Sequence, residues 1–267
     1  MSASVLGRIV ARTRERLHER LLQRPLDEML ATAPTPGIRR PFREAVGGDG
    51  LNIIAEFKRR SPSKGALRED LTASGVAQAY EAGGARALSV LTEEDFFGGH
   101  LGDLRQARAA TRLPTLRKDF LVDPYQVWEA WIAGADAVLL IVAALGEKDL
   151  RKLLDTALEA GLDPLVEVHD ERELDTALTC GARLVGVNNR DLQTLEVSLD
   201  TALRIAPHIP DDVVAVAESG IATGADVRRL RDAGYDAFLV GEHFMTAPDP
   251  GQAVKGLIRD ASAEGPE

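Results

Sequence analysis

The feature that most constrains this chain is a rhythm. From Leu51 onward, short apolar runs alternate with charged, Ala- and Leu-rich stretches of helical period. The runs read LNIIAEF, ALSVL, LPTLR, ADAVLLIV, PLVEV, LVGVN, VVAVAES and AFLVG, eight in all. They recur roughly every 20–35 residues, the length of one strand–helix unit. The runs are apolar throughout, with no strict alternation, so strands formed from them need cover on both faces. Five of them are preceded by a glycine: Gly84, Gly134, Gly161, Gly181 and Gly234. A glycine there supplies the left-handed turn that stops a helix and feeds the chain into the next strand. Eight such units predict a closed (β/α)8 TIM barrel, an α/β fold. An open doubly wound sheet is the alternative, and it usually carries a Gly-rich nucleotide loop after its first strand. Here the first run is followed by KRRSPSKG, with no G-x-G-x-x-G.

The 267 residues suit one such barrel, and we expect a single domain over 1–267 with its barrel core at 51–245. Residues 1–45 read differently. Val5, Ile9, Leu17 and Leu21 fall at multiples of four on an Arg-rich stretch, giving one apolar stripe on a helix. Pro25, Pro34, Pro36 and Pro41 then break the chain into short pieces. We expect an N-terminal helical extension, a helix plus a connecting segment, packed on the barrel.

The net charge of −10 repels phosphate backbones and anionic lipid, so neither nucleic acid nor a membrane is expected as a partner. A small phosphorylated molecule stays allowed, because one local cationic pocket suffices. The lone cysteine, Cys180, rules out an internal disulfide. No apolar run approaches a membrane span, and the N-terminus lacks a signal core, so a cytoplasmic location is expected. The five histidines are scattered, without H-x-H or H-E-x-x-H, and no metal site is expected.

In barrels of this kind chemistry sits at the C-terminal ends of the strands. Those ends carry Glu56, Lys58, Ser61 and Ser63 after the first run; Thr92, Glu93, Phe96 and Phe97 after the second; and Arg117, Lys118, Asp119 and Phe120 after the third. Glu167 and His169 end the fifth, Asn188 to Asp191 the sixth, Glu218, Ser219 and Gly220 the seventh, and Gly241 and Glu242 the eighth. Only six of the 32 basic residues are lysine, yet Lys58 and Lys118 both fall at strand ends. Lysine, unlike arginine, can give up its proton when desolvation or neighbouring cations lower its pKa. A general acid needs that property. Glu56 and Lys58 lie two apart on one strand and share a face. Glu167 should face them across the barrel mouth. Read alone, this set is also compatible with a buried structural ion pair. Ser219-Gly220 and Gly241 fall at the loops where such barrels seat phosphate. Phe96, Phe97, Phe120 and Leu139 can line an aromatic pocket or simply pack.

At these positions the sequence resembles the indole-3-glycerol-phosphate synthase family of tryptophan biosynthesis. The match is carried by IIAEFKRRSPSKG (53–65), then LTEEDFFGG, LRKDFLVDPYQV, ADAVLLIVAAL, LVEVHD, GVNNRDLQTLEV, AESGI and LVGEHFM, in order and nearly to the end of the chain. The resemblance implies a carboxy-lyase that converts 1-(2-carboxyphenylamino)-1-deoxyribulose 5-phosphate to indole-3-glycerol phosphate, CO2 and water. No hydride or electron moves, so it implies no cofactor. By motif position Lys118 resembles the general acid, and Lys58 the group that holds the substrate carboxylate. Glu56 and Glu167 resemble the carboxylates that orient the lysines. Asn188, Ser219 and Glu218 match substrate-holding polar positions. Ser61, Arg190, Gly220 and Gly241 match the phosphate grip. Phe96, Phe120 and Leu139 match the wall around the anthranilate ring. Some members carry serine where Glu242 stands, and the N-terminal helix, which covers the substrate in the family, is here unusually Arg-rich. A monomer is expected, with other tryptophan-pathway enzymes as candidate associates. Phosphoribosylanthranilate isomerase, on a similar barrel, would need a cysteine near the end of the first strand, where this chain reads EFKRRSPSKG. A barrel that binds a phosphosugar without turnover is the non-enzymatic alternative.

Overall fold

The computed structural model describes residues 4–33, 37–61, 65–68, 70–191 and 194–263. Eight parallel strands close into a barrel: β1 (Asn52–Phe57), β2 (Ala87–Leu91), β3 (Thr115–Lys118), β4 (Ala137–Ile141), β5 (Asp163–Val168), β6 (Leu184–Asn188), β7 (Val214–Glu218) and β8 (Ala237–Val240). Each run of the sequence is one strand, and β8 pairs with β1 to shut the ring. The five glycines ahead of strands all adopt positive φ, from 68° at Gly161 to 105° at Gly234, as a helix-stopping turn demands.

Strand alternation sorts the side chains into two cores. Outward residues such as Ile53, Ala55, Val138, Leu140, Val185 and Phe238 pack against the surrounding helices. Inward residues stack in layers of four from alternate strands, as closed eight-stranded barrels require. Ala87, Ala137, Leu184 and Ala237 come from the even strands, and Ile54, Leu116, Leu165 and Val216 from the odd ones. The register places each set one step beyond the other, with Ile54 beside Ala87 and Leu116 beside Ala137. Ser89, Leu139, Gly186 and Leu239 follow, and the next odd-strand set is polar: Glu56, Lys118, Glu167 and Glu218.

The N-terminal extension closes both ends of this column. Helix α1 (Val5–Gln23) buries Ile9 and Leu17, the middle of the predicted stripe, and Thr13 between them. Ile9 joins the interior cluster. Two further short helices follow, α2 (Leu26–Ala31) and α3 (Phe42–Val46), where the sequence suggested only connecting pieces. Pro25 and Pro41 stand at their N-caps, where a missing N–H costs nothing, so these prolines start helices as well as end them. Pro34 and Pro36 lie outside the described residues. From α3, Phe42 and Val46 are fully buried and plug the strands' N-terminal end, with the Arg43 N–H donating to Asp163 at the start of β5. No helix among the described residues is long and apolar enough to cross a membrane.

Candidate active site

The polar layer floors a cavity of about 320 Å³, large enough for a small ligand. Glu56, Lys118, Glu167 and Glu218 come from β1, β3, β5 and β7, every second strand around the ring, so their side chains converge on the axis. Lys118 Nζ donates to Glu167 Oε2 at 2.9 Å and lies 3.0 Å from Glu218 Oε2, close enough to pair but not aligned as a hydrogen bond. Lys58, two residues past Glu56, bends back to it at 2.8 Å. The shared face predicted for that pair is the one it presents, and Glu167 lines the same cavity.

Which way these groups titrate follows from counting charges. Burial works against the Lys118 ammonium, but Glu167, Glu218 and Glu56 outweigh it and raise its pKa above the ordinary lysine value. Loss of a proton through desolvation, the property that drew attention to the strand-end lysines, is therefore reversed here by three carboxylates. Lys118 stands as a firm ammonium. Glu167 is also opposed by burial, yet Lys118 and His169 hold it below the usual carboxylate range. Glu218 goes the other way. Burial, reinforced by Glu167 and Glu56, wins over Lys118 and pushes it up to about 7. The layer thus contains an ammonium, an ionised carboxylate and a carboxyl poised near neutrality.

Two glycines make room for these carboxylates. A Cβ on Gly186 would collide with the Glu218 carboxylate, and one on Gly241 with that of Glu56. On the far rim, Ser219 and Gly220 take successive positive φ values of 66° and 80°. Left-handed backbone is uncommon for a serine. Ser219, Gly220, Gly241, Asn188 and Arg190 all line the cavity. The Arg190 N–H donates to Asn188 Oδ1, and its guanidinium donates to Leu195 O and lies 3.9 Å from Glu242. That contact gives Glu242 a cation to face, on a rim whose backbone otherwise suits an anion.

The apolar wall includes Phe97, Phe120, Leu139, Ile141 and Leu239. Phe97 and Phe120 tilt together at 6.1 Å between centroids. Phe97 takes the place expected for Phe96. The Glu93 carboxylate accepts from the N–H groups of both phenylalanines, and the tight turn so formed aims the second ring at the cavity while Phe96 packs beside it. Ser61 is likewise not among the lining residues: it is buried in a two-residue ladder with Gly65. Ser63 lies outside the described residues.

Sequence reasoning passed over two sets of groups. His169, named above at the end of the fifth run but given no role, lies 3.4 Å from Glu167 Oε1. No group of His, Cys, Asp and Glu that could hold a metal ion occurs among the described residues. Arg117, 1% exposed, turns away from Lys118 and bonds Asp119 at 2.9 Å and the Gln126 carbonyl at 2.7 Å. Asp119 in turn accepts from Thr92 at 2.6 Å. The i, i+2 spacing of Arg117 and Asp119 was a usable signal, since it places both on one strand face. The network reaches α1 through Glu129, which pairs with Arg117 and Arg20. Arg12 and Arg16 of α1 also pair with Asp95, and Arg16 with Glu94, beside the Phe97 turn.

A family model for indole-3-glycerol phosphate synthase matches residues 6–257. Among solved structures, thiamine phosphate pyrophosphorylase from Pyrococcus furiosus aligns at 18% identity with a TM-score of 0.60, over 83% of this chain and 99% of its own. The 3-hexulose-6-phosphate synthase from Salmonella typhimurium aligns at 13% identity with a TM-score of 0.63, over 78% of this chain and 97% of its own. At such identities the likeness is one of fold.

Proposed function

This chain belongs to the indole-3-glycerol phosphate synthase family, and on that premise we propose that it converts 1-(2-carboxyphenylamino)-1-deoxyribulose 5-phosphate to indole-3-glycerol phosphate, CO2 and water. The observation that carries the proposal is Lys118, an ammonium shared by two carboxylates on the floor of a cavity walled on one side by aromatic rings. The anthranilate ring lies against Phe97, Phe120 and Leu139. The phosphate sits at the opposite rim, on the backbone of Ser219-Gly220 and Gly241, with Arg190 as its cation. Lys58 pairs with the substrate carboxylate, and Asn188 and Ser219 hold hydroxyls.

The chemistry follows from the charges. As the carboxyl-bearing ring carbon attacks the ketone, the ketone oxygen becomes an alkoxide, and Lys118 Nζ delivers its proton there. An alkoxide is more basic than any ammonium, so the raised pKa of Lys118 does not block the transfer. The ring acquires positive charge, which the buried carboxylates of Glu56 and Glu167 stabilise. Loss of CO2 returns the C–C bonding pair to the ring. The new hydroxyl then leaves as water with a proton from a lysine, and the carbon next to nitrogen gives up a proton to a carboxylate. The cytoplasm suits such a reaction.

Purified protein mixed with this substrate should release CO2 and gain indole fluorescence together. Tight binding of the substrate with neither signal would instead favour a phosphosugar-binding barrel without turnover.

A further inference from the structure

His169 lies two residues past Glu167 at the mouth of β5 and is held on both sides. Its Nδ1 is 2.9 Å from Glu173 Oε2, and the same oxygen accepts from the His169 backbone N–H at 2.8 Å. Its Nε2 faces Glu167 Oε1 at 3.4 Å, within reach of it but not aligned as a hydrogen bond. Glu173 is fixed in its turn. It lies in the first turn of α4 (Glu171–Thr179), where its own N–H donates to the capping Asp170. The other oxygen of Glu167 accepts from Lys118. The carboxylate that holds the proposed acid is thus backed by a ring, and the ring by the start of a helix.

A neutral imidazole carries one N–H and could donate to only one of two flanking carboxylates, whereas an imidazolium serves both. The ionisable groups facing the ring are Glu167 on β5 and Glu173 on α4, with Lys118 beyond Glu167. Burial opposes the ring's charge, but both carboxylates outweigh it and raise its pKa to about 10.

We propose that His169 is a positioning residue: as an imidazolium anchored by Glu173, it restrains Glu167 Oε1 so that Oε2 stays on Lys118 when substrate enters. Among the described residues Glu167 is otherwise held by Lys118 alone, and Lys118 also answers to Glu218 and Glu56. A rotation of Glu167 would move the ammonium off the ketone oxygen. This inference rests on the ring-closing reaction proposed above.

Two variants and two readouts test it. In H169N the ring and its charge are gone, while E173Q keeps an acceptor for the ring but removes the anchoring charge. Because the substrate's phosphate and aromatic ring bind elsewhere, kcat of H169N should fall roughly 10- to 100-fold with KM changed less than about twofold. E173Q should show a smaller loss of the same kind. Independently of turnover, NMR of 15N-labelled histidine should show the His169 ring doubly protonated at about pH 8. In E173Q it should release that proton at lower pH. Wild-type kcat in H169N, or a neutral His169 ring in the native protein at neutral pH, would overturn the proposal. If H169N does not fold, E173Q decides: wild-type kcat with an unmoved histidine titration overturns it. A native protein inert toward the substrate would sink the ring-closing reaction, and the histidine titration would still decide whether the clamp exists.

Discussion

The Glu218 carboxyl offers a worked test of how this site is built. Burial pushes it from an ordinary 4.5 up to about 7, and the Lys118 ammonium 3.0 Å away offsets only part of that cost. Each pH unit is worth about 1.4 kcal/mol, so keeping Glu218 ionised in the folded protein costs about 3 kcal/mol. Between pH 4.5 and about 7 the folded state retains a proton that the unfolded chain has released. Stability from this group therefore falls as pH rises through that window, and the full cost stands above it. Replacing Glu218 with glutamine removes the charge and keeps the shape. E218Q should be more stable than the native protein by up to about 3 kcal/mol at pH 8, and nearly equal to it at pH 4.5. Turnover should fall, because Lys118 loses one of its two carboxylates. Urea denaturation of both proteins across this pH range is the assay. Lys118 and Glu167, which sense the Glu218 charge, titrate above and below this window. Glu167, lowered, acts below its ordinary value of 4.5. His169 loses its contribution between 6.5 and about 10. An E218Q protein no more stable than the native one at pH 8, or equally advantaged at pH 4.5, would refute the reasoning.

Three further outcomes follow from the same geometry. Lys118→Ala should lower kcat by roughly 10²- to 10⁴-fold with the circular dichroism unchanged, and near-normal turnover would remove Lys118 from the mechanism. Gly186→Ala should destabilise by about 1–3 kcal/mol in urea and reduce kcat, because its new methyl collides with the Glu218 carboxylate; a neutral effect on both would mean that the close approach is unimportant. Arg117→Met leaves Asp119 buried without its cation and should cost about 3–5 kcal/mol in the same denaturation assay, with a loss under about 1 kcal/mol contradicting the structure.

The barrel was legible because its signals are local. Each strand is a run of contiguous apolar residues, and each glycine stop is set by the backbone geometry of its own turn. The strand-end lysines were legible too, since a strand's last inward residue must project into the mouth. The pairing of Lys118 with Glu218 was not. It depends on β3 and β7 facing each other across the ring at one height, which is a matter of register and not of spacing along the chain. The choice of Phe97 over Phe96 was hidden for a similar reason. The turn is fixed by Glu93 accepting two amide protons, and adjacent phenylalanines look alike until that turn is drawn. The sign of the Lys118 titration needed all three carboxylates, which come from three separate strands.

The central claim is that alternate strand ends act together on one substrate, with its ring and its phosphate on opposite sides of Lys118. A crystal structure with bound indole-3-glycerol phosphate examines this most directly. The account predicts the indole against Phe97 and Phe120, the phosphate on the backbone of Ser219-Gly220 and Gly241, and Lys118 within hydrogen-bonding distance of the ligand between them. Product bound in the reverse orientation, or outside this cavity, would contradict it.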